Sequence, residues 1–170
     1  GKVAAKFEGI VARAQVEEGA ETIGIGDAIA SQISPAVYER LIQPREKRLV
    51  QAIKGMGVLV RLHICGDITH LLPGIADLGI DVADVDHLVD MAQARRVLGS
   101  RVALTGNIDP AGGVLFGEPE AIRQAVRRTY AEVGTIQHLG HCPLPNYEAI
   151  IAVTEQLKEV LYPGYRRRDG

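Results

Sequence analysis

The sequence predicts an α/β fold built on a parallel β-sheet. Short apolar runs, typical of buried strands, alternate with longer segments in which apolar residues recur at helical spacing. Glycines follow many of the helical segments and mark where those helices end. Strands separated by helices pair in parallel through right-handed crossovers, and no low-complexity linker divides the chain. We therefore expect residues 1–170 to form a single α/β domain.

A helix is predicted first, followed by five strands that each precede another helix. Lys2–Glu18 is predicted as the first helix because its apolar residues share one stripe and Gly19 follows directly. The strands are the short apolar runs that come between the helical patterns. They are Thr22–Gly26, Val58–Leu62, Val82–Val85, Val102–Thr105 and Thr135–Leu139.

The remaining helices are predicted from their caps and apolar stripes. Ser34 and Pro35 have the character of an N-cap and a first-turn proline. The helix that they begin is interrupted or restarted at Pro44 and stops at Gly55. The later helices are predicted at Ile68–Leu78, Asp90–Leu98, Pro119–Val133 and Asn146–Leu161. In such a fold the carboxyl ends of the strands share one edge, where α/β proteins bind their ligands.

Composition excludes several classes of protein. The chain has 19 basic and 21 acidic side chains and a formal net charge of −2, so it lacks the positive charge of a nucleic-acid binder. Aromatic residues make up 4% and tryptophan is absent, which argues against base-stacking surfaces. The sequence contains no membrane-spanning apolar run and no pattern of a secretory leader. We expect a cytoplasmic protein that binds neither nucleic acid nor a membrane.

Polar residues and both cysteines fall on the loops that follow the predicted strands. In chain order these loops carry Asp27, then His63 to Asp67, then Asp86 and His87, then Gly106 to Pro110, and last Gly140 to Pro143. Cys65 and Cys142 are far apart in sequence but share this edge of the sheet. Two buried structural thiols are the alternative interpretation. Structural thiols, however, would not be expected to coincide with the polar edge.

His63 and Cys65 have the spacing of a pair of metal ligands. Residues two apart at the end of a strand point the same way, so an imidazole and a thiolate can reach one ion. Gly66 lets the backbone turn directly afterwards, and Cys142 could supply a third ligand from another loop. One nitrogen and two sulfurs suit zinc, and three protein ligands leave a fourth position open, as in catalytic sites. Two thiolates make zinc a poor activator of water but favour a bound substrate thiolate, which indicates alkyl transfer onto sulfur.

Five segments of the chain resemble the uroporphyrinogen decarboxylase superfamily. They are G-A-E-T-I-G-I-G-D-A-I-A-S-Q-I-S-P (19–35), H-I-C-G-D (63–67), V-D-H-L-V-D (85–90), G-N-I-D-P (106–110) and G-H-C (140–142). Their order and spacing are most similar to those of the methylcobamide:coenzyme M methyltransferases and their bacterial relatives. The resemblance implies a (β/α)8 TIM barrel, of which this chain supplies about the last five β/α units.

The resemblance also implies a chemistry. It assigns zinc to the positions that match His63, Cys65 and Cys142, with no catalytic residue beyond this metal site. The zinc binds a thiol substrate such as coenzyme M, which takes the methyl group of a methylated corrinoid (a methylcobamide) carried by a separate small corrinoid protein. The decarboxylases of the superfamily lack the cysteine ligands and need no metal. The two cysteines therefore favour methyl transfer over porphyrin decarboxylation.

Asp27, Asp86 and Asn107 are predicted to contact the substrate, because each lies on a strand-following loop. Asp27 is equally well explained as a helix or turn cap, and both aspartates as supports for a ligand histidine. Asn107 lies in a Gly-Asn-x-Asp-Pro turn and could serve mainly to shape it. These alternatives stay open from the sequence alone.

The other polar residues near these loops are predicted to have less direct roles in the site. Asp67 is predicted as a helix N-cap, and His141 as a candidate fourth zinc ligand in the resting state. Arg61 either faces the pocket or extends outward. The remaining histidines are expected at the surface or satisfied within the core. They are His70, His87 and His138.

Three functions remain as alternatives to the methyltransferase. They are a uroporphyrinogen decarboxylase-like protein, another zinc-thiol alkyltransferase of the methionine synthase type, and an incomplete zinc-binding fragment that does not turn over. The length of the chain bears on the last of these. A closed barrel needs eight β/α units and typically about 250 residues, so we expect a missing N-terminal segment or a second chain to complete the sheet.

Overall fold

A computed structural model of the chain describes residues 2–133. The chain divides into two compact units after Asn107, and each is described by itself. The last predicted strand, Thr135–Leu139, and the last predicted helix, Asn146–Leu161, lie outside the described residues, as do His138, His141 and Cys142. Within residues 2–133, no helix has the length and apolar character needed to cross a membrane.

The first unit contains a sheet of four parallel strands in the order β1-β2-β3-β4. The strands are β1 (Thr22–Gly26), β2 (Leu59–Ile64), β3 (Val82–Val85) and β4 (Ala103–Gly106). In a (β/α)8 barrel each parallel strand is added beside the one before it, whereas a doubly wound sheet reverses its order partway. The strand order therefore confirms the predicted barrel-type α/β fold.

The ends of two strands differ from the prediction. The predicted end of the second strand at Leu62 was wrong, because β2 continues to Ile64 and so contains His63. Strand β4 also runs to Gly106, one residue further than predicted. Both extensions follow from the register, in which His63 and Gly106 still have partners on β3.

The helix predicted at Ile68–Leu78 is shorter than expected, because a 3-10 turn at Thr69–Leu71 precedes an α-helix at Leu72–Ala76 only. The other helices of the first unit follow the sequence pattern. The helices of this unit are α1 (Lys2–Glu17), α2 (Pro35–Val37), α3 (Gln43–Lys54), α4 (Leu72–Ala76) and α5 (Met91–Leu98), with short 3-10 turns at Ala30–Gln32 and Thr69–Leu71. The hydroxyl of Ser34 caps α2 by accepting from the Val37 amide at 3.4 Å. A π-helical segment, Tyr38–Ile42, joins α2 to α3, so Pro44 falls in the first turn of α3. The predicted interruption before Pro44 is therefore a change of helix type.

The two faces of the sheet differ in chemistry because successive side chains of a strand point to opposite sides. One face is apolar and packs with the helices to form the core; its buried residues are Ile23, Val60, Leu62, Ile64, Ala83, Val85 and Leu104. The opposite face carries Arg61, His63, Asp84 and Thr105, all exposed or half-buried. We call these four residues the polar face of the sheet.

The described part of the second unit contains a π-helical segment, Pro110–Leu115, and α6, Pro119–Val133. Ile122 and Val126 of α6 are buried, and Ile108 packs against them. A carboxylate oxygen of Asp109 accepts from the Ala111 amide at 2.9 Å and caps the π-helical segment. The turn predicted at Gly106 to Pro110 thus leads directly into a helical segment that the sequence pattern did not reveal.

The buried side chains of Tyr38 and Glu46 form a hydrogen-bonded pair. The hydroxyl of Tyr38 donates to Oε2 of Glu46 at 2.5 Å, and the two residues are 0% and 7% exposed. Burial raises the pKa of both groups above their ordinary values. Within the described part of the chain, the other carboxyl oxygen of Glu46 has no hydrogen-bond partner. The pair therefore depends on a single hydrogen bond.

Removing that bond tests its contribution. Tyr38→Phe leaves the Glu46 carboxyl buried without a donor, which should lower the free energy of unfolding by about 1–3 kcal/mol in urea titrations followed by circular dichroism. The double variant Tyr38→Phe with Glu46→Met should lose less, because both polar partners are then replaced by apolar groups. Equal losses in the two variants would contradict this account.

Candidate metal site

His63 and Cys65 meet at the carboxyl end of β2. His63 is the penultimate residue of the strand and Cys65 follows the last one. The imidazole Nε2 lies 3.1 Å from the Cys65 Sγ, and Cys65 is a free, exposed thiol. The predicted convergence of an imidazole and a thiol is therefore present in the structure.

The backbone turns sharply at Gly66, directly after the pair. Gly66 has φ +90°, and a Cβ there would lie 2.9 Å from the Ser31 hydroxyl oxygen. Any other residue would meet both a strained backbone and a steric contact. This glycine allows Cys65 to leave the strand and still face His63.

Asp86, in the loop after the neighbouring strand β3, fixes the same turn. One carboxylate oxygen accepts from the Gly66 amide at 2.9 Å and the other from the Leu88 amide at 3.0 Å, while His87 Nδ1 lies 3.0 Å from the second oxygen. Burial by itself raises the pKa of the Asp86 carboxyl. These hydrogen bonds and the charges of His87 and His63 lower that pKa more, to below its ordinary value. Asp86 is therefore held as a carboxylate that anchors the turn after Cys65.

The other two predicted substrate residues also contact backbone. A carboxylate oxygen of Asp27 accepts from the amides of Ile29 and Ala30, both at 3.1 Å, which is the turn cap that the sequence allowed. The side-chain amide of Asn107 donates to the Val89 carbonyl at 2.7 Å. Their predicted contact with substrate stays a prediction.

Asn107 is positioned by the glycine before it. Gly106 has φ +100°, and a Cβ there would collide with the carbonyl oxygen of Val85 on the adjacent strand. Only glycine lets β4 approach β3 so closely at this end. The loop after β4 therefore starts at a fixed point of the sheet edge.

The remaining candidates occupy distinct environments. Arg61 lies on the polar face and pairs with the carboxylate of Asp84, so it faces the same side of the sheet as His63.

Asp67 accepts from the Thr69 amide at 2.9 Å, within the turn before the 3-10 helix rather than as its N-cap. That bond, together with the Thr69 side chain, lowers the pKa of Asp67. His70 Nε2 contacts the carbonyl of Ile33 at 3.0 Å, as expected for a satisfied surface histidine.

Sequence reasoning missed Asp84. Its carboxylate lies 3.3 Å from His63 Nδ1 and also accepts from Thr105 and Arg61. An aspartate inside the otherwise apolar strand Val82–Val85 was a usable signal. Its contact with His63, however, depends on the register between two strands, which the pattern within one strand does not reveal.

The chemistry of the donor pair fits zinc. Tetrahedral zinc with ligand distances of about 2.0 Å to nitrogen and 2.3 Å to sulfur places the two donors about 3.5 Å apart. The observed 3.1 Å needs only a slight opening. Among residues 2–133, no three His, Cys, Asp or Glu side chains form a metal-binding group, and the predicted third ligand, Cys142, lies outside them.

The chain matches the sequence model of one protein family. The family model for uroporphyrinogen decarboxylase (URO-D) matches residues 3–159. The chain belongs to the uroporphyrinogen decarboxylase family. This confirms the predicted family and its barrel-type fold.

Relatives within this family include decarboxylases. The chain is 35% identical over 162 residues to a uroporphyrinogen decarboxylase from Trichodesmium erythraeum, covering 89% of this chain and 45% of the relative. It is 37% identical over 134 residues to uroporphyrinogen decarboxylase 2, chloroplastic, from Arabidopsis thaliana, covering 76% of this chain and 33% of the relative. The chain thus spans less than half the length of these curated relatives.

A solved structure is also similar. A methyltransferase from Methanosarcina mazei superposes with a TM-score of 0.74 at 25% identity, covering 92% of this chain and 48% of that one. The chain is thus similar to proteins named for different reactions, and its chemistry must be argued from the site.

The role of Asp86 can be tested by pH. Asp86→Asn should lower the free energy of unfolding at neutral pH. The uncharged asparagine side chain accepts hydrogen bonds from the backbone N–H groups of Gly66 and Leu88 less strongly than the carboxylate does. A carboxyl with a lowered folded pKa contributes stability above its unfolded pKa of about 3.9 and loses it as pH falls through the folded value. The difference between wild type and variant should shrink below about pH 4 in urea titrations. Asp77→Asn, at an exposed aspartate, is the matched control and should change the free energy of unfolding little at neutral pH.

Proposed function

We propose that this chain belongs to a zinc-dependent methyltransferase that moves a methyl group from a methylated corrinoid to a thiol such as coenzyme M. The observation that carries the proposal is the approach of His63 Nε2 and Cys65 Sγ to 3.1 Å at the carboxyl end of β2. A thiolate and an imidazole converging at a strand end form a soft donor set for zinc. The similarity in fold to a methyltransferase supports the same function.

Three residues would hold the zinc under this proposal: His63, Cys65 and Cys142. When bound, zinc supplies a positive charge that keeps a substrate thiol deprotonated near neutral pH. The methyl group would pass by displacement to the substrate thiolate sulfur, and the electron pair of the broken carbon–cobalt bond would remain with the corrinoid, which is the donor substrate. The corrinoid is presented by a small corrinoid protein, which is the proposed macromolecular partner.

The chain's own residues prepare the site for this reaction. His63 is held on a strand, and Cys65 is placed by the turn at Gly66 that Asp86 anchors. Both donors are accessible, since Cys65 is exposed and the His63 side chain is 42% exposed. Positioning on a rigid sheet edge is the contribution that a displacement of this kind needs from the protein.

A uroporphyrinogen decarboxylase-like reaction is the second candidate. The names of the curated relatives favour it, since sequences 35% and 37% identical to this chain are uroporphyrinogen decarboxylases. Because the resemblance implies that decarboxylation needs no metal, His63 and Cys65 would not bind zinc in that reaction. The two candidates therefore differ in whether the chain binds zinc at these residues.

Metal binding separates the candidates first. The purified chain should contain about one zinc, measured by plasma mass spectrometry and by competition with a chromogenic chelator. His63→Ala, Cys65→Ala and Cys142→Ala should each abolish stoichiometric binding, because each removes a ligand. His70→Ala, at an exposed histidine in the 3-10 turn Thr69–Leu71, is the matched control and should keep the metal. Stoichiometric zinc in all three ligand variants would refute the assignment.

Enzymatic activity provides the second test that distinguishes the two candidate functions. With methylcobalamin and coenzyme M, the protein should consume the methyl–cobalt absorbance, and Cys65→Ala should lose this activity. The same preparation should leave uroporphyrinogen intact. Decarboxylation of uroporphyrinogen that survives Cys65→Ala would instead establish the second candidate. Transfer from methyl-tetrahydrofolate but not from methylcobalamin would indicate an alkyltransferase of the methionine synthase type.

A further inference from the structure

We propose that Asp84 is a positioning residue that orients the His63 imidazole for metal binding. Asp84 lies at the centre of the polar face, on the strand next to His63. Neither Asp27 nor Asp86 can take this role as directly, because their carboxylates accept from the backbone amides of nearby loops. The metal-related part of this inference rests on the proposed function.

The register of the sheet brings the two side chains together. His63 on β2 is the partner of Asp84 on β3. His63 Nδ1 lies 3.2 Å from the Asp84 carbonyl oxygen and 3.3 Å from its carboxylate Oδ2. The opposite ring nitrogen, Nε2, is the one that faces Cys65. The imidazole therefore contacts the oxygens of Asp84 through Nδ1 and the sulfur of Cys65 through Nε2.

Asp84 is itself held in place by its neighbours. The hydroxyl of Thr105, the partner of Asp84 on β4, donates to Oδ1 at 2.9 Å. Arg61 Nη2 donates to Oδ2, the oxygen that faces His63. The Asp84 side chain is 19% exposed, so these contacts are partly shielded from water. Side chains from the two neighbouring strands, β2 and β4, thus fix the carboxylate on β3.

The chemical consequence concerns the imidazole. With oxygen atoms on its Nδ1 side, the neutral ring carries its proton on Nδ1, which leaves the Nε2 lone pair available to a metal. A carboxylate beside Nδ1–H also makes Nε2 a stronger donor and fixes the plane of the ring. Asp84 would therefore raise the affinity of the His63–Cys65 pair for zinc without touching the metal.

Substitution of Asp84 tests this role. Asp84→Asn keeps the shape of the side chain and removes its charge, and it should lower the zinc affinity of the full chain about 10- to 100-fold in chelator competition. In the metal-free protein, long-range nitrogen–proton correlation spectra should show a smaller fraction of the Nδ1–H form of His63. This second readout needs no metal, and a purely structural ion pair with Arg61 would not change it.

The sheet offers a matched control at its other end. Asp81 also forms an ion pair, with Lys54 at 2.7 Å, and accepts from the Val60 amide at 2.9 Å. Asp81→Asn should change neither zinc affinity nor the tautomer of His63, even if it lowers stability. Because Asp84→Asn could unfold the sheet, Thr105→Val provides a milder route. It removes the hydroxyl that fixes Oδ1 and should lower zinc affinity several-fold, while Thr105→Ser should restore it.

The outcomes distinguish this inference from the proposed function. Zinc binding by the wild type with unchanged affinity and tautomer in Asp84→Asn would overturn the role of Asp84 and leave the metal site intact. Lack of zinc binding by the wild type would overturn the proposed function. A tautomer change in Asp84→Asn would, even then, support the positioning of His63 by Asp84. Losses in both readouts, absent in Asp81→Asn, would support both proposals.

Discussion

The register of the parallel sheet is the constraint on which the candidate site depends. Pairing of β2 with β3 and of β3 with β4 places His63, Asp84 and Thr105 beside one another on three successive strands. A shift of one residue would turn these side chains to the opposite face and bring apolar residues into their place. The buried apolar face, packed against helices, prevents such a shift. The core thus sets the geometry of a site that lies on the other side of the sheet.

The loops at the carboxyl edge extend this geometry. Gly66 and Gly106 adopt positive φ values where the backbone leaves β2 and β4. The carboxylate of Asp86 ties the turn after β2 to the loop after β3 through two backbone amides. Side chains on this edge are consequently positioned by strands and by backbone hydrogen bonds. Such preorganisation suits a reaction in which correct placement of two reactants is the main requirement.

Much of this arrangement could be predicted from the sequence, because it depends on local patterns. The alternation of apolar runs with helical stripes predicts the parallel sheet, and the H-x-C spacing predicts that His63 and Cys65 converge. The end of β2 was misplaced because the polar His63 ends the apolar run, which Arg61 had already interrupted inside the predicted strand. Those two residues face the polar side of the sheet, and the strand alternates through them to Ile64. The contact of Asp84 with His63 could not be predicted, since register between strands is set by packing of the whole unit. The π-helical segment at Tyr38–Ile42 also lacks a sequence signal that distinguishes it from an α-helix.

Under the proposed function, His63 and Cys65 bind one zinc ion together with a second thiolate. X-ray absorption at the zinc edge of the zinc-loaded chain tests this most directly, because it identifies the donor atoms. We expect two sulfur scatterers at about 2.3 Å and nitrogen at about 2.0 Å. A first shell of nitrogen and oxygen alone would contradict this assignment.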